Sequence, residues 1–353
     1  MRKLSFAILF AMMLGVLFLA GCGGDQSAGS KSVAKPVEDS SDSGKKSEAR
    51  KLRVSIGVND KHPEYEASMK FKEIVESKTD DFEIEVYSSG QIADDRTAIE
   101  MLQFGTLEIT IPSTSPLVNF IPEYGVFDLP FSIPNEQVAD KVLDGPFGTK
   151  MLEMVDQQDL VGLAWWENGF RNLTNDVRPV SSVDDLKGMK IRTMENSIHL
   201  DAWKALGANP TPMAFTELFT ALQQGTVDGQ ENPYPTILLS KYFEVQKHIS
   251  NTNHVYTPFI FLFSKKIWDE LSAEQQVIIK EAALEAGKFN RERTREVAKE
   301  SLEGLKENMT FTEVPESEFN KFKEKVQPII EKYKGQIGES IVDEYYAEIE
   351  KNK

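Results

Sequence analysis

The chain has 353 residues, 40 of them Lys or Arg and 56 Asp or Glu, for a formal net charge of −16. That balance excludes a general nucleic-acid binder, which needs positive charge to displace counterions, and an apolar share of 40% excludes general disorder. One Cys excludes an internal disulfide and Cys-ligated zinc or iron–sulfur centres, and four scattered His argue against a His-rich metal site.

Arg2 and Lys3 precede an apolar run from Leu4 to Ala20, the charged-then-apolar order of a secretory signal. Leu19-Ala20-Gly21-Cys22 ends the run. This tetrad resembles the bacterial lipobox, in which the Cys becomes the mature N-terminus and carries lipid; an ordinary anchor helix with an incidental Cys is the other reading. Residues 1–22 are thus expected to be a lipoprotein signal peptide, with Cys22 lipidated. Residues 23–50 are rich in Ser, Gly, Lys, Asp and Glu and cannot bury enough surface to offset chain entropy. They read as a flexible tether. Set aside the seven basic and five acidic residues of the first fifty, and the remaining body carries −18.

Leu52, Val54, Ile56 and Val58 alternate with smaller or polar residues, which predicts a strand. Pro63 opens a helix whose apolar face holds Ala67, Phe71, Ile74 and Val75. Phe82, Ile84 and Val86 form a second strand. Asp94 or Asp95 caps a helix that buries Ala98, Met101 and Leu102 and stops at Gly105. Leu107 to Pro112 is a third strand. This β-α-β-α-β order predicts a mostly parallel sheet with helices on its faces, and ligands at the carboxyl ends of the strands. Further strands are expected at Leu160 to Trp165, Met189 to Thr193 and Ile260 to Phe263. Helices follow at Asn196 to Leu206 and Thr216 to Gln224. Ser272 and Gln275 fit a capping box, and an uninterrupted helix runs from there to about Asn308. The predicted class is α/β, two-lobed and periplasmic-binding-protein-like, with hinge crossings and a long bracing helix. Residues 51–168 with 258–297 are assigned to the first lobe, and 169–257 with 298–353 to the second.

Several segments in order resemble the solute receptors of tripartite ATP-independent periplasmic (TRAP) transporters, the DctP family. They are Ser89-Gly90-Gln91-Ile92, Asp128-Leu129-Pro130-Phe131, Gly169-Phe170-Arg171, Asp185 to Arg192, Ala221 to Gly225, Asp228 to Pro233 and Tyr242 to Lys247. The resemblance runs from about Leu52 past Trp268. Their order and spacing are specific for the family, though not for a substrate.

Arg192 ends a strand, at the edge where ligands sit in an α/β sheet. Its guanidinium offers a rigid fork that matches a carboxylate. Residue chemistry alone favours a surface arginine paired with an acidic neighbour, since most arginines are structural or solvated. The resemblance implies instead that Arg192 clamps the ligand carboxylate. It likewise implies that Arg171 is a second cationic contact near the hinge, where an interlobe ion pair is the competing reading, and that Asn232 lies at the ligand. Phe215, just before a helix, is a candidate pocket wall. Asn59 and His62 fall at the first lobe's rim, and His62 beside Pro63 is similar to dicarboxylate-type members. Ser113 stands where the sialic-acid branch tends to carry an acidic residue, a departure that argues against sialic acid. Trp165 alternates with Leu163 and reads as core.

The resemblance implies a receptor anchored through Cys22 at the outer face of the cytoplasmic membrane. It binds a small organic acid between its lobes and delivers it to the integral membrane subunits of a TRAP transporter for ion-gradient-driven uptake. A C4-dicarboxylate is the expected ligand, with a sugar acid or keto acid as alternatives. No cofactor, metal or catalytic step is implied. Neither a Gly-x-Ser-x-Gly elbow nor a His-Glu-x-x-His pair is present, which disfavours an exported enzyme. A sensor feeding a receptor kinase would use the same fold and pocket.

Overall fold

The computed structural model describes residues 49–353; the expected signal peptide, Cys22 and the tether up to residue 48 lie outside the described residues. The strands are β1 (Arg50–Ser55), β2 (Phe82–Tyr87), β3 (Ile109–Thr110), β4 (Leu160–Phe170), β5 (Asn172–Asn175), β6 (Lys190–Thr193), β7 (Asn209–Pro212), β8 (Gly229–Asn232), β9 (His248–Ser250), β10 (Tyr256–Ser264) and β11 (Thr310–Thr312). The helices are α1 (Pro63–Lys78), α2 (Asp95–Phe104), α3 (Glu136–Leu143), α4 (Pro146–Met154), α5 (Ser197–Ala205), α6 (Leu218–Gln223), α7 (Tyr234–Leu239), α8 (Lys265–Trp268), α9 (Ala273–Asn308), α10 (Glu316–Ile337) and α11 (Glu339–Asn352). Among the described residues, none of these helices is long and apolar enough to cross a membrane.

The expected two-lobed α/β architecture is present, built on two sheets. One has the order β2-β1-β3-β10-β4 and the other β11-β9-β5-β8-β6-β7. Both are mixed. β1 pairs in parallel with β2 and β3, and β6 with β7 and β8. The strands that travel between the sheets break that pattern. β4 leads through Arg171 into β5, and β9 leads through residues 251–255 into β10, so β4, β5 and β10 pair antiparallel with their neighbours. Gly169, near the first crossing, has φ +114°, a backbone region that costs glycine little.

Local chemistry explains the element ends. Asp94 caps α2 by accepting from the Arg96 and Thr97 amides, and Gly105 ends it in the left-handed region. Ser272 and Gln275 form the capping box that starts α9. Helices α1 and α9 cover one face of the first sheet around Phe71, Trp166 and Phe261. Its other face packs on α3, α4 and α11 around Phe127, Phe147 and Tyr345. The last helix therefore packs with the first sheet. Helix α10 touches both: Phe322 and Val326 pack under the second sheet, and Tyr333 and Ile337 reach the first.

The long helix is sewn to β4. Trp166 Nε1 donates to the Ala283 carbonyl at 3.1 Å, and Asn290 Oδ1 accepts from the Glu167 amide at 2.6 Å. Gly287 permits this approach, because a Cβ there would sit 2.8 Å from Trp166 Cδ1 and 3.2 Å from the Trp165 carbonyl oxygen. In an exposed helix, Gly→Ala stabilises by roughly 1 kcal/mol. Here the sign reverses: Gly287→Ala is expected to destabilise by about 1–3 kcal/mol, the scale of overpacking a filled core, in urea unfolding. A stability gain would contradict the close contact.

Candidate functional site

A small cavity, with about 50 Å³ of room for water, opens between the two sheets. Five of the seven residues proposed from sequence as ligand contacts line it: Arg192, Arg171, Asn232, Phe215 and Ser113. Arg192 and Asn232 stand at the carboxyl ends of the neighbouring strands β6 and β8, as open α/β sheets require of a ligand site. Arg171 enters from the crossing between β4 and β5.

Arg192 is 1% exposed. Its Nε and Nη2 both donate to the Met213 carbonyl, at 2.9 and 2.6 Å. Its Nη1 is buried without a partner, and among the described residues no carboxylate forms an ion pair with it. Burial lowers its pKa to about 10, with Tyr242 and Glu231 opposing the shift. The group remains cationic at neutral pH and lacks a counter-charge at bonding distance.

Arg171 is the contrasting case. Its Nε donates to Glu231 Oε2 at 2.5 Å, and its Nη2 to Glu231 Oε1 at 3.0 Å and to Asn232 Oδ1 at 3.0 Å. His254 Nε2 lies 3.0 Å from Glu231 Oε2. Burial alone would raise the Glu231 carboxyl, but the Arg171 charge and the His254 hydrogen bond hold it well below the usual carboxylate range. Arg171 lines the cavity and is ion-paired, but its partner Glu231 stands on β8 of the second sheet and not across the lobes. Asn232 spends one amide N–H on Gln230 Oε1 at 2.5 Å and keeps the other.

Two expected contacts do not line the cavity. His62 caps α1, accepting from the Glu64 amide at 3.2 Å, and its Nε2 lies 3.2 Å from Thr236 Oγ1. Burial lowers its pKa to about 3, so it is neutral. Asn59 donates to the Leu239 carbonyl at 2.9 Å. Both spend their polar groups joining the first lobe to α7, and Thr236, one turn away, is the residue that reaches the cavity. Ser113 Oγ is directed at Met194 Sδ across the cleft, at 3.4 Å.

Sequence reasoning missed Glu64, Asp95 and Asn168, all of which line the cavity. Glu64 is 1% exposed, and neither carboxylate oxygen has a partner. Burial raises its carboxyl well above the usual range, and the nearby Asp95 adds to this. Asp95 accepts from the Ser113 amide at 3.3 Å. Burial pushes its pKa up to about 6 against that hydrogen bond. Asn168 Oδ1 is a further buried acceptor without a partner. The available signal was positional: Glu64 and Asp95 each start a helix that follows a strand's carboxyl end.

Glu231→Gln leaves Arg171 buried beside a neutral amide and is expected to cost roughly 3–5 kcal/mol in urea unfolding at neutral pH. Because the folded carboxyl is held low, its contribution is complete above the unfolded value of about 4.3 and declines as pH falls below it. The gap between wild type and variant should therefore narrow in acid. A gap independent of pH would contradict the ion pair.

Residues 54–336 match the family described as bacterial extracellular solute-binding protein, family 7, DctP. A solute-binding protein of Verminephrobacter eiseniae is 42% identical over 246 residues, which are 69% of this chain and 73% of that protein. Among solved structures, the sugar acid binding protein DctPAm of Advenella mimigardefordensis, in complex with galactonate, is 44% identical with a TM-score of 0.85. That match covers 87% of this chain and 99% of the other. A TRAP periplasmic solute-binding protein of Polaromonas, bound to D-erythronate, is 38% identical with a TM-score of 0.81, over 84% of this chain and 98% of that one. With two lobes around a cleft that holds a buried unpaired arginine and a family match across most of its length, this chain belongs to the DctP family, the extracytoplasmic solute receptors of TRAP transporters.

Proposed function

We propose that this receptor binds a carboxylate-bearing organic acid in the cleft between its lobes, with Arg192 as the clamp. The observation that carries the reading is the buried Nη1 of Arg192, a charged donor without a partner that lines the cavity. A ligand carboxylate supplies both the missing acceptor and the missing negative charge. The galactonate and D-erythronate carried by its relatives are such acids. Arg171, fixed by Glu231, adds positive field, and the free N–H of Asn232 donates to the ligand. Phe215 walls the cavity and Ser113 offers a hydroxyl. His62 and Asn59 act from behind, the first by orienting Thr236.

Binding closes the lobes about the crossings at Gly169–Arg171 and residues 251–255, with α9 as the third connection. Closure excludes water and strengthens the guanidinium–carboxylate contact. The closed form then engages the two integral membrane subunits, which move the acid on an ion gradient. The lipobox at Leu19–Cys22 supports anchoring through Cys22, with the following Ser- and Gly-rich residues as tether.

In calorimetry on the purified protein with D-galactonate, Arg192→Ala should weaken binding by at least about a hundredfold, the scale of stranding one partner of a buried charge pair. Unchanged affinity in a variant with normal melting would overturn the clamp. Cys22→Ser should move the protein from the membrane to the soluble fraction of an expressing bacterium. Retention in the membrane would argue against lipid anchoring.

A further inference from the structure

We propose that Glu64 and Asp95 form an acceptor wall that makes this receptor select polyhydroxylated monocarboxylates, the aldonates and related sugar acids, and reject dicarboxylates. The proposal rests on the reading of Arg192 as the carboxylate clamp and adds what the rest of the cavity demands. The buried charges of the cavity come from different elements. Its two buried cations, Arg192 and Arg171, come from a strand end of the second sheet and from the crossing. Glu64, Asp94 and Asp95 come from the starts of α1 and α2 on the first sheet's side, where the exposed Arg96 pairs at 3.6 Å with Glu195, which follows β6.

Glu64 is the decisive residue. It is 1% exposed, and both of its carboxylate oxygens are buried without a donor. Buried carboxylates ordinarily find partners, because leaving them unpaired forfeits their hydration. The start of α1 favours a negative charge there, yet it supplies no hydrogen bond to either oxygen. Asn168 Oδ1 adds a third vacant acceptor on the same cavity. Beyond the arginine end, then, the surface asks for hydrogen-bond donors.

A chain of hydroxyl groups answers that demand, since each O–H donates to a carboxylate oxygen in a charge-assisted bond. A second ligand carboxylate does the opposite: it brings acceptors to acceptors and a third negative charge beside Glu64 and Asp95. Discrimination then comes from repulsion of the wrong ligand as much as from attraction of the right one. Burial raises the carboxyl groups of both residues in the empty cavity, and hydroxyl donors from a ligand favour their ionised, accepting form.

The test is titration calorimetry on the purified protein with matched acids that differ only in a terminal CH₂OH or COO⁻: D-gluconate against D-glucarate, D-galactonate against galactarate, and D-erythronate against meso-tartrate. The tightest aldonate should exceed its diacid by about a hundredfold or more, the scale of a like-charge contact in a buried site. Glu64→Gln should cut that ratio to about tenfold or less, chiefly by admitting the diacid, and Asp95→Asn should act in the same direction if Glu64→Gln melts early. A diacid that binds as tightly as its aldonate overturns the proposal. So does a Glu64→Gln variant that weakens both acids equally, or 6-aminohexanoate binding above every aldonate. The two readings fail separately. If Arg192→Ala abolishes binding but diacids bind best, only the selectivity is wrong; if Arg192→Ala changes nothing, the clamp itself is wrong.

Discussion

A guanidinium buried without its own counter-ion is the constraint around which this receptor is organised. Arg192, which lines the cavity, gives two of its nitrogens to one carbonyl and keeps the third buried and unpaired. A buried charge of this kind is costly unless something offsets it. The nearby carboxylate that would quench it, Glu231, is occupied by Arg171 and His254. The fold thus spends one ion pair to keep a second cation available. On the proposed clamp, an arriving carboxylate supplies the partner that the empty protein withholds from Arg192.

The same arrangement explains why the site lies where the chain crosses between sheets. β4 leaves the first sheet for the second and β10 returns from it, so the two pair antiparallel. At those crossings the backbone brings Arg171 beside the ends of β6 and β8, where Arg192 and Asn232 stand. Helix α9 runs alongside, held to β4 by Trp166 and Asn290, and a single missing side chain at Gly287 sets its distance. Packing of the long helix and geometry of the cleft are therefore coupled through one strand.

What the sequence disclosed follows from which physical signals a chain displays. The first β-α-β-α units and α9 were legible, because alternating or helical apolar faces and caps such as Asp94 and Ser272 announce them. Strands β5 and β8 were not. Their residues, Asn172-Leu173-Thr174-Asn175 and Gly229-Gln230-Glu231-Asn232, are all buried yet nearly all polar, so hydrophobic period reveals nothing. They are polar because they carry the network around Arg171. The packing partner of the C-terminal helix was not legible, because periodicity shows an apolar face without naming what covers it. At the site, Arg192 and Arg171 emerged through family resemblance. Glu64 stayed hidden because an acidic residue in a helix's first turn is ordinary and only the structure reveals that its oxygens lack donors. His62 and Asn59 were drawn to the right rim, but their hydrogen bonds are already spent on Thr236 and Leu239.

A crystal structure of the protein in complex with an aldonate tests this account most directly. It should place a carboxylate oxygen within hydrogen-bond distance of Arg192 Nη1, with the hydroxyl chain running toward Glu64 and Asp95. A carboxylate bound elsewhere in the cleft, with Arg192 Nη1 still lacking an anionic partner, would contradict it.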